Sequence, residues 1–225
     1  MRLWMLSVIL SGVVGQIVVL AAEVERVPFT ENVATVIAVD GVLIASRTDA
    51  FPYSLRIVGA DPSTLSHEHG LIQVGWNNHT FRNTTVWVRD LGMKAPGGDR
   101  EKLKAHLAWE VEDLNRISQQ KLTATAEFLQ VNGHTWAHWT YDISPFANDD
   151  DVKRPSAPGR AQVMTQHYLT TVVGDYIVVI VTSDRSGPKD RAALDMLKAI
   201  ANTMIVHPWA LTPAEMAALA RKPQQ

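Results

Sequence analysis

Asn132-Gly133 constrains this chain more than any other pair of residues, because it lies between two alternating runs, Leu122 to Val131 and His134 to Ile143. An Asn-Gly pair accepts the positive backbone angles of a type I′ turn, and the twist of that turn suits two antiparallel strands. The chain is therefore expected to fold back here, and the turn fixes the register. Val131 falls opposite His134, Leu129 opposite Trp136, and Glu127 opposite His138. The signature recurs twice. Gly174-Asp175 separates Gln162 to Val173 from Tyr176 to Ser183, and Asp40-Gly41 divides the apolar run from Val33 to Ser46. Phe51 to Val58, Leu71 to Trp76 and Thr84 to Leu91 read as further strands, while Pro62 makes Asp61 to Gly70 read as a loop.

The period changes after Pro96-Gly97-Gly98. Leu103, Leu107, Glu110 or Val111, Leu114 and Ile117 recur at helical spacing from Arg100 to Ser118, with charged residues in much of the remainder. A second helix opens after Ser186-Gly187-Pro188 and carries Leu194, Leu197, Ile200, Ala201, Met204 and Ile205 on one face. Thr212-Pro213-Ala214-Glu215 starts a short third helix, with Thr212 as cap and Glu215 reaching back. Antiparallel strands beside two long amphipathic helices predict an α+β fold, a sheet of about six or more strands packed with both helices.

The first residues speak to address. Arg2, the apolar stretch from Leu3 to Leu20 and the small pair Ala21-Ala22 have the layout of a secretory leader. The expected organisation is a leader over 1–22, an N-terminal extension with a hairpin over 23–50, an α+β domain over 51–207 and a tail over 208–225. Cleavage would release the chain into the periplasm, and an uncut leader would tether it to the inner membrane through residues 3–20. The chain has no cysteine, which excludes disulfides, thiol nucleophiles, thiolate zinc sites and iron–sulfur clusters. A net charge of −2 without a run of Lys and Arg argues against nucleic acid as partner.

The order of strands, helix, two hairpins and closing helix resembles the PsbP-like family, which includes bacterial DcrB-like periplasmic proteins. The resemblance runs from Phe51 to Val206 and is carried by the Asn132-Gly133 hairpin, the hairpin at Gly174-Asp175 and the ending from Asp190 to Val206. It implies a protein that binds proteins or supports membrane complexes and has no common catalytic set.

Histidine supplies the chemical candidates. The hairpin register puts Glu127, His134 and His138 on one strand face with Trp136, and this face is assigned to solvent. Phe128, Ala137, Trp139 and Tyr141 are assigned to the core. Imidazole and carboxylate suit zinc or copper, but residues four apart on a strand lie about 13 Å apart, too far for His134 and His138 to share one ion. His67 and His69, flanking Glu68, form a second candidate metal pair. His106 and His167 stand alone. No Gly-x-Ser-x-Gly elbow is present, and Asp149-Asp150-Asp151 lacks the glycine and glutamate of a calcium loop. Trp136, on the polar face, and Trp209, in the tail, are the candidates for docking. The leading expectation is an exported, non-enzymatic accessory protein that needs no cofactor and binds a protein partner in the envelope. A metal protein built on the hairpin histidines and a small-ligand binder are the alternatives.

Overall fold

The computed structural model describes residues 32–68, 71–76, 79–88, 97–118, 122–143, 164–184 and 192–223. The expected leader, His69, Asp149-Asp150-Asp151 and the start of the second helix at Ser186-Gly187-Pro188 lie outside these residues. The described strands are β1 Val33–Ala38, β2 Gly41–Ser46, β3 Tyr53–Val58, β4 Asp61–Glu68, β5 Leu71–Trp76, β6 His79–Trp87, β7 Glu127–Val131, β8 His134–Ile143, β9 Met164–Val173, β10 Tyr176–Asp184 and β11 Ile205–Val206. The described helices are α1 Asp99–Ser118, α2 Ala192–Asn202 and α3 Pro213–Arg221.

This corrects the expected fold class. Among the described residues strand outweighs helix, 50% against 28%. The strands form two antiparallel sheets rather than one sheet beneath two long helices: a small sheet ordered β1-β2-β3-β11 and a large sheet ordered β4-β5-β6-β10-β9-β8-β7. Two misread segments account for the difference. The hairpin set aside as an extension pairs onward through β2 and β3 and founds the small sheet. The segment read as a loop is the edge strand β4, whose register shifts between Asp61 and Ser66, so Pro62 sits where an edge tolerates it. Of the helices, α1 has 20 residues and α2 has 11.

The turns explain the pairing. Asn132 and Gly133 both take positive φ, 49° and 77°, and set β7 against β8 in the expected register. Gly174, at φ 59°, turns β9 into β10. The first hairpin differs by one residue. Its turn is Val39-Asp40, and Gly41 already pairs with Ala38 and with Val58 of β3. Gly41 is needed for close approach, since a Cβ there would stand 2.1 Å from the Ile57 carbonyl oxygen.

The two sheets face each other across the main core. Val42, Ile44, Tyr53, Leu55 and Ile57 of the small sheet meet Ile72, Phe81, Trp136, Leu169 and Ile180 of the large one. Leu197, Ile200 and Ala201 of α2 fill the same core, closing it against β3, β9 and β10. One buried polar link crosses it: the Tyr53 hydroxyl donates to Asn83 Oδ1 at 3.0 Å, and Asn83 Nδ2 donates to the Val179 carbonyl at 3.1 Å. On the far face of the large sheet, α1 buries Leu103, Leu107 and Leu114 against Ala137, Trp139 and Ile177. No helix of the described residues is long and apolar enough to cross a membrane.

The tail belongs to the fold. Helix α3 lays Leu219 and Ala220 on Val36, Ala38 and Leu43, the outer face of the small sheet. Its start is held by the expected capping box between Thr212 and Glu215. Its end is held by Arg56 of β3. The guanidinium pairs with Asp40 at 2.7 Å, donates to the Lys222 carbonyl at 2.6 Å, and donates also to the Leu219 carbonyl. A cation over the last carbonyls of a helix satisfies acceptors that the helix itself leaves open. Arg56→Ala removes a charged donor from both carbonyls and the cation beside Asp40, so it should cost about 3 kcal/mol in denaturant unfolding. Truncation after Pro208 should cost at least as much, and an unchanged midpoint for either variant would show that the tail is only an appendage.

Candidate functional site

The hairpin has the expected pairs, Glu127 with His138, Leu129 with Trp136 and Val131 with His134. Its faces differ from expectation, because both sides of the large sheet are covered. Trp136 is 0% exposed and packs in the core between the sheets, so it offers no docking surface. Trp139 and Ala137 are buried on the opposite face, as assigned. Glu127 remains exposed and His134 is half-buried at the hairpin end. His138 lies in a line rather than a cage: its Nδ1 is 3.9 Å from Glu127 Oε2, and its Nε2 is 3.4 Å from His167 Nδ1. The two rings stack at 5.6 Å and 19°. His67 is exposed, with Nε2 2.9 Å from Thr35 Oγ1 of β1. Among the described residues no three His, Cys, Asp or Glu side chains gather as a metal would need.

The structure instead assembles polar chemistry beneath α1. His106, Glu110 and Asp113 are buried along with Leu103, Leu107 and Leu114. Their spacing extends the apolar stripe of the helix onto its inward flank. His106 Nε2 lies 3.3 Å from Glu110 Oε1, and Asp113 pairs with Arg116. The strands under the helix present a cross-strand row in which Gln73 pairs with Arg82, Arg82 with Val181, Val181 with Tyr168, and Tyr168 with Trp139. Tyr141 and Gln166 pair beside that row. Arg82 Nε donates to Gln73 Oε1 at 3.2 Å. The Tyr141 and Tyr168 hydroxyls both donate to Gln166 Oε1, at 3.0 and 2.8 Å. Trp139 stacks on Tyr168 at 4.0 Å and 13°.

Burial sets the protonation of this nest. It pushes the Tyr168 phenol well above its ordinary range, with Tyr141 and the Glu110 carboxylate adding to the push and Arg82 opposing it. Tyr141 is raised for the same leading reason. Burial lowers Arg82, and the neighbouring tyrosines partly restore it. Both phenols therefore keep their protons at neutral pH and act as donors. With both spent on one oxygen of Gln166, its amide nitrogen is turned elsewhere. Gln166 Nε2, Trp139 Nε1 and His106 Nδ1 are buried without a hydrogen-bond partner, and His106 Nε2 has only its contact with Glu110. Such groups are rare in folded proteins and cost about 1–3 kcal/mol each. The signal was present in the sequence as His106 and Glu110 at i,i+4 on the same stripe as Leu103 and Leu107. Taking His106 as a solitary histidine hid it.

A second feature lies on the other side of the molecule. Among the described residues the exposed large apolar side chains are Ile37, Val39, Val58, Ile205, Val206 and Trp209. All belong to the small sheet, its turns or the chain just after it. Trp209, 58% exposed, is the expected docking residue that remains at the surface. Its neighbours are fixed: His207 N donates to the Pro52 carbonyl at 2.7 Å, and Ala210 N donates to Asp49 Oδ1 at 2.6 Å. The His207 ring meets Ser54 Oγ at 2.8 Å, and burial lowers its pKa.

No family model and no curated protein matches the chain. Among solved structures, one from Bacteroides thetaiotaomicron VPI-5482 is similar over 69% of this chain with 11% identity and a TM-score of 0.37. The match spans 45% of that structure's chain. At this level it carries no inference about fold or role.

The buried pair makes a direct test possible. Replacing His106 or Glu110 alone by Leu leaves the other buried beside an apolar neighbour and should cost about 1–3 kcal/mol. The double replacement should cost less than the sum of the two in a double-mutant cycle by denaturant unfolding. Additive losses would mean that the two side chains do not form a unit.

Proposed function

We propose that this chain is an exported, non-enzymatic accessory protein that docks on a protein partner of the cell envelope through the apolar rim of its small sheet. The observation that carries this reading is an exposed tryptophan on a rigid platform. Trp209 follows β11, which is paired to β3, and precedes a capped helix that Arg56 ties to the sheet. Ile205 and Val206, 48% and 40% exposed, extend the apolar surface beside it. An aromatic held in place before binding loses little conformational freedom on docking, and aromatic anchors dominate interface energies.

The address comes from the first residues, whose basic start, apolar stretch and small pair fit export to the periplasm. A cut leader leaves the domain free there, whereas an uncut one holds it at the inner membrane. Neither arrangement calls for zinc or copper, and a partner rather than a reaction then accounts for the absence of a legible catalytic set in the sequence.

Trp209→Ala removes a side chain that the core does not need. The variant should keep its thermal midpoint to within about 2 °C. It should hold its envelope partner at least about tenfold more weakly in affinity purification from membranes, with the wild-type chain as reference. Recovery of the same partner at the same strength would sink the reading.

A further inference from the structure

The nest between α1 and the large sheet holds more hydrogen-bonding capacity than the protein uses. On the sheet side, Gln166 Nε2 and Trp139 Nε1 offer unspent N–H groups. On the helix side, His106 Nδ1 is unspent, and its Nε2 faces the Glu110 carboxylate at 3.3 Å. The walls are aromatic, with Trp139 stacked on Tyr168 and Tyr141 beside them. A few placed polar groups among aromatic walls is the composition of small-molecule sites. Both sides of the nest break the rule that buried polar groups find partners, and such breaks concentrate at functional sites.

The charges narrow the ligand. Asp113 is engaged by Arg116, which leaves Arg82 and Glu110 as the opposed formal charges around the tyrosines. A free anion would meet the Glu110 carboxylate, and a free cation would meet Arg82. Unspent donors on the sheet call for an oxygen acceptor, and Glu110 with His106 calls for a donor at the other end.

We propose that this nest binds a small molecule of no net charge, an amide or an amino-acid zwitterion, whose carbonyl or carboxylate oxygen meets Gln166 and Trp139 and whose N–H end meets Glu110. The site is separate from the apolar rim, so it stands or falls independently of docking.

The test follows the Trp139 indole N–H and the Gln166 side-chain amide in proton–nitrogen correlation spectra of the full chain. The signals are assigned by their loss in Trp139→Phe and Gln166→Leu, and the probes are N-methylacetamide and glycine. At least one probe should move both signals together and saturably. Gln166→Leu should weaken the response at Trp139 at least tenfold, while His134→Ala on the far hairpin leaves it unchanged. Should Gln166→Leu fail to fold, Trp139→Phe read at the Gln166 amide gives the same comparison. The proposal is overturned if neither probe moves either signal, if Gln166→Leu and Trp139→Phe respond like the wild-type chain, or if acetate or phosphate saturates the site more tightly than both probes.

Discussion

The fold depends on the large sheet being covered on both faces. An antiparallel sheet ordinarily keeps one face on a core and gives the other to water. Here the small sheet and α2 cover one face, and α1 packs over β8 and β9 on the other. Strands β8, β9 and β10 consequently run through the middle of the molecule with apolar side chains directed both ways. Val178 and Ile180 of β10 enter the core between the sheets, while Ile177, Val179 and Val181 enter the core under α1.

Double coverage has a cost in polar groups. A strand with one wet face can place its histidines and threonines in water, but a strand covered on both faces must bury them. His167, Thr170, Thr171 and Gln166 of β9 are all enclosed. The threonines are satisfied locally, since Thr170 and Thr171 donate to the Ala137 and Thr135 carbonyls of β8. Tyr53 and Asn83 meet across the core and fix how one sheet sits on the other. The groups under α1 are satisfied only in part, and so is Trp136, whose Nε1 is buried without a hydrogen-bond partner in the core between the sheets.

Local structure was legible in the sequence wherever turn chemistry decided it. Asn132-Gly133 gave the register of β7 on β8 residue by residue, Gly174-Asp175 gave β9 and β10, and Thr212 with Glu215 gave the cap of α3. What the sequence hid was long-range. Nothing within residues 33–46 says that this hairpin will pair with β3 and become a lid, and without the lid Trp136 reads as a surface residue. The same omission assigned the face of Glu127, Trp136 and His138 to solvent. Pro62 was read as a loop marker because an edge strand cannot be told from a loop until its neighbours are known. Of the docking candidates, Trp209 kept its place at the surface, between β11 and α3.

The central claim is that both faces of the large sheet are dry, and Trp136 and Trp139 report on it from opposite sides of the same strand. Iodide quenching of fluorescence in variants that keep only one tryptophan each, at 136, 139 or 209, measures this directly. The account requires Trp136 and Trp139 to be shielded alike and Trp209 to be quenched as an exposed indole. A quenched Trp136 beside a shielded Trp139 would mean that the small sheet does not cover the large one, and the two-sheet account would be wrong.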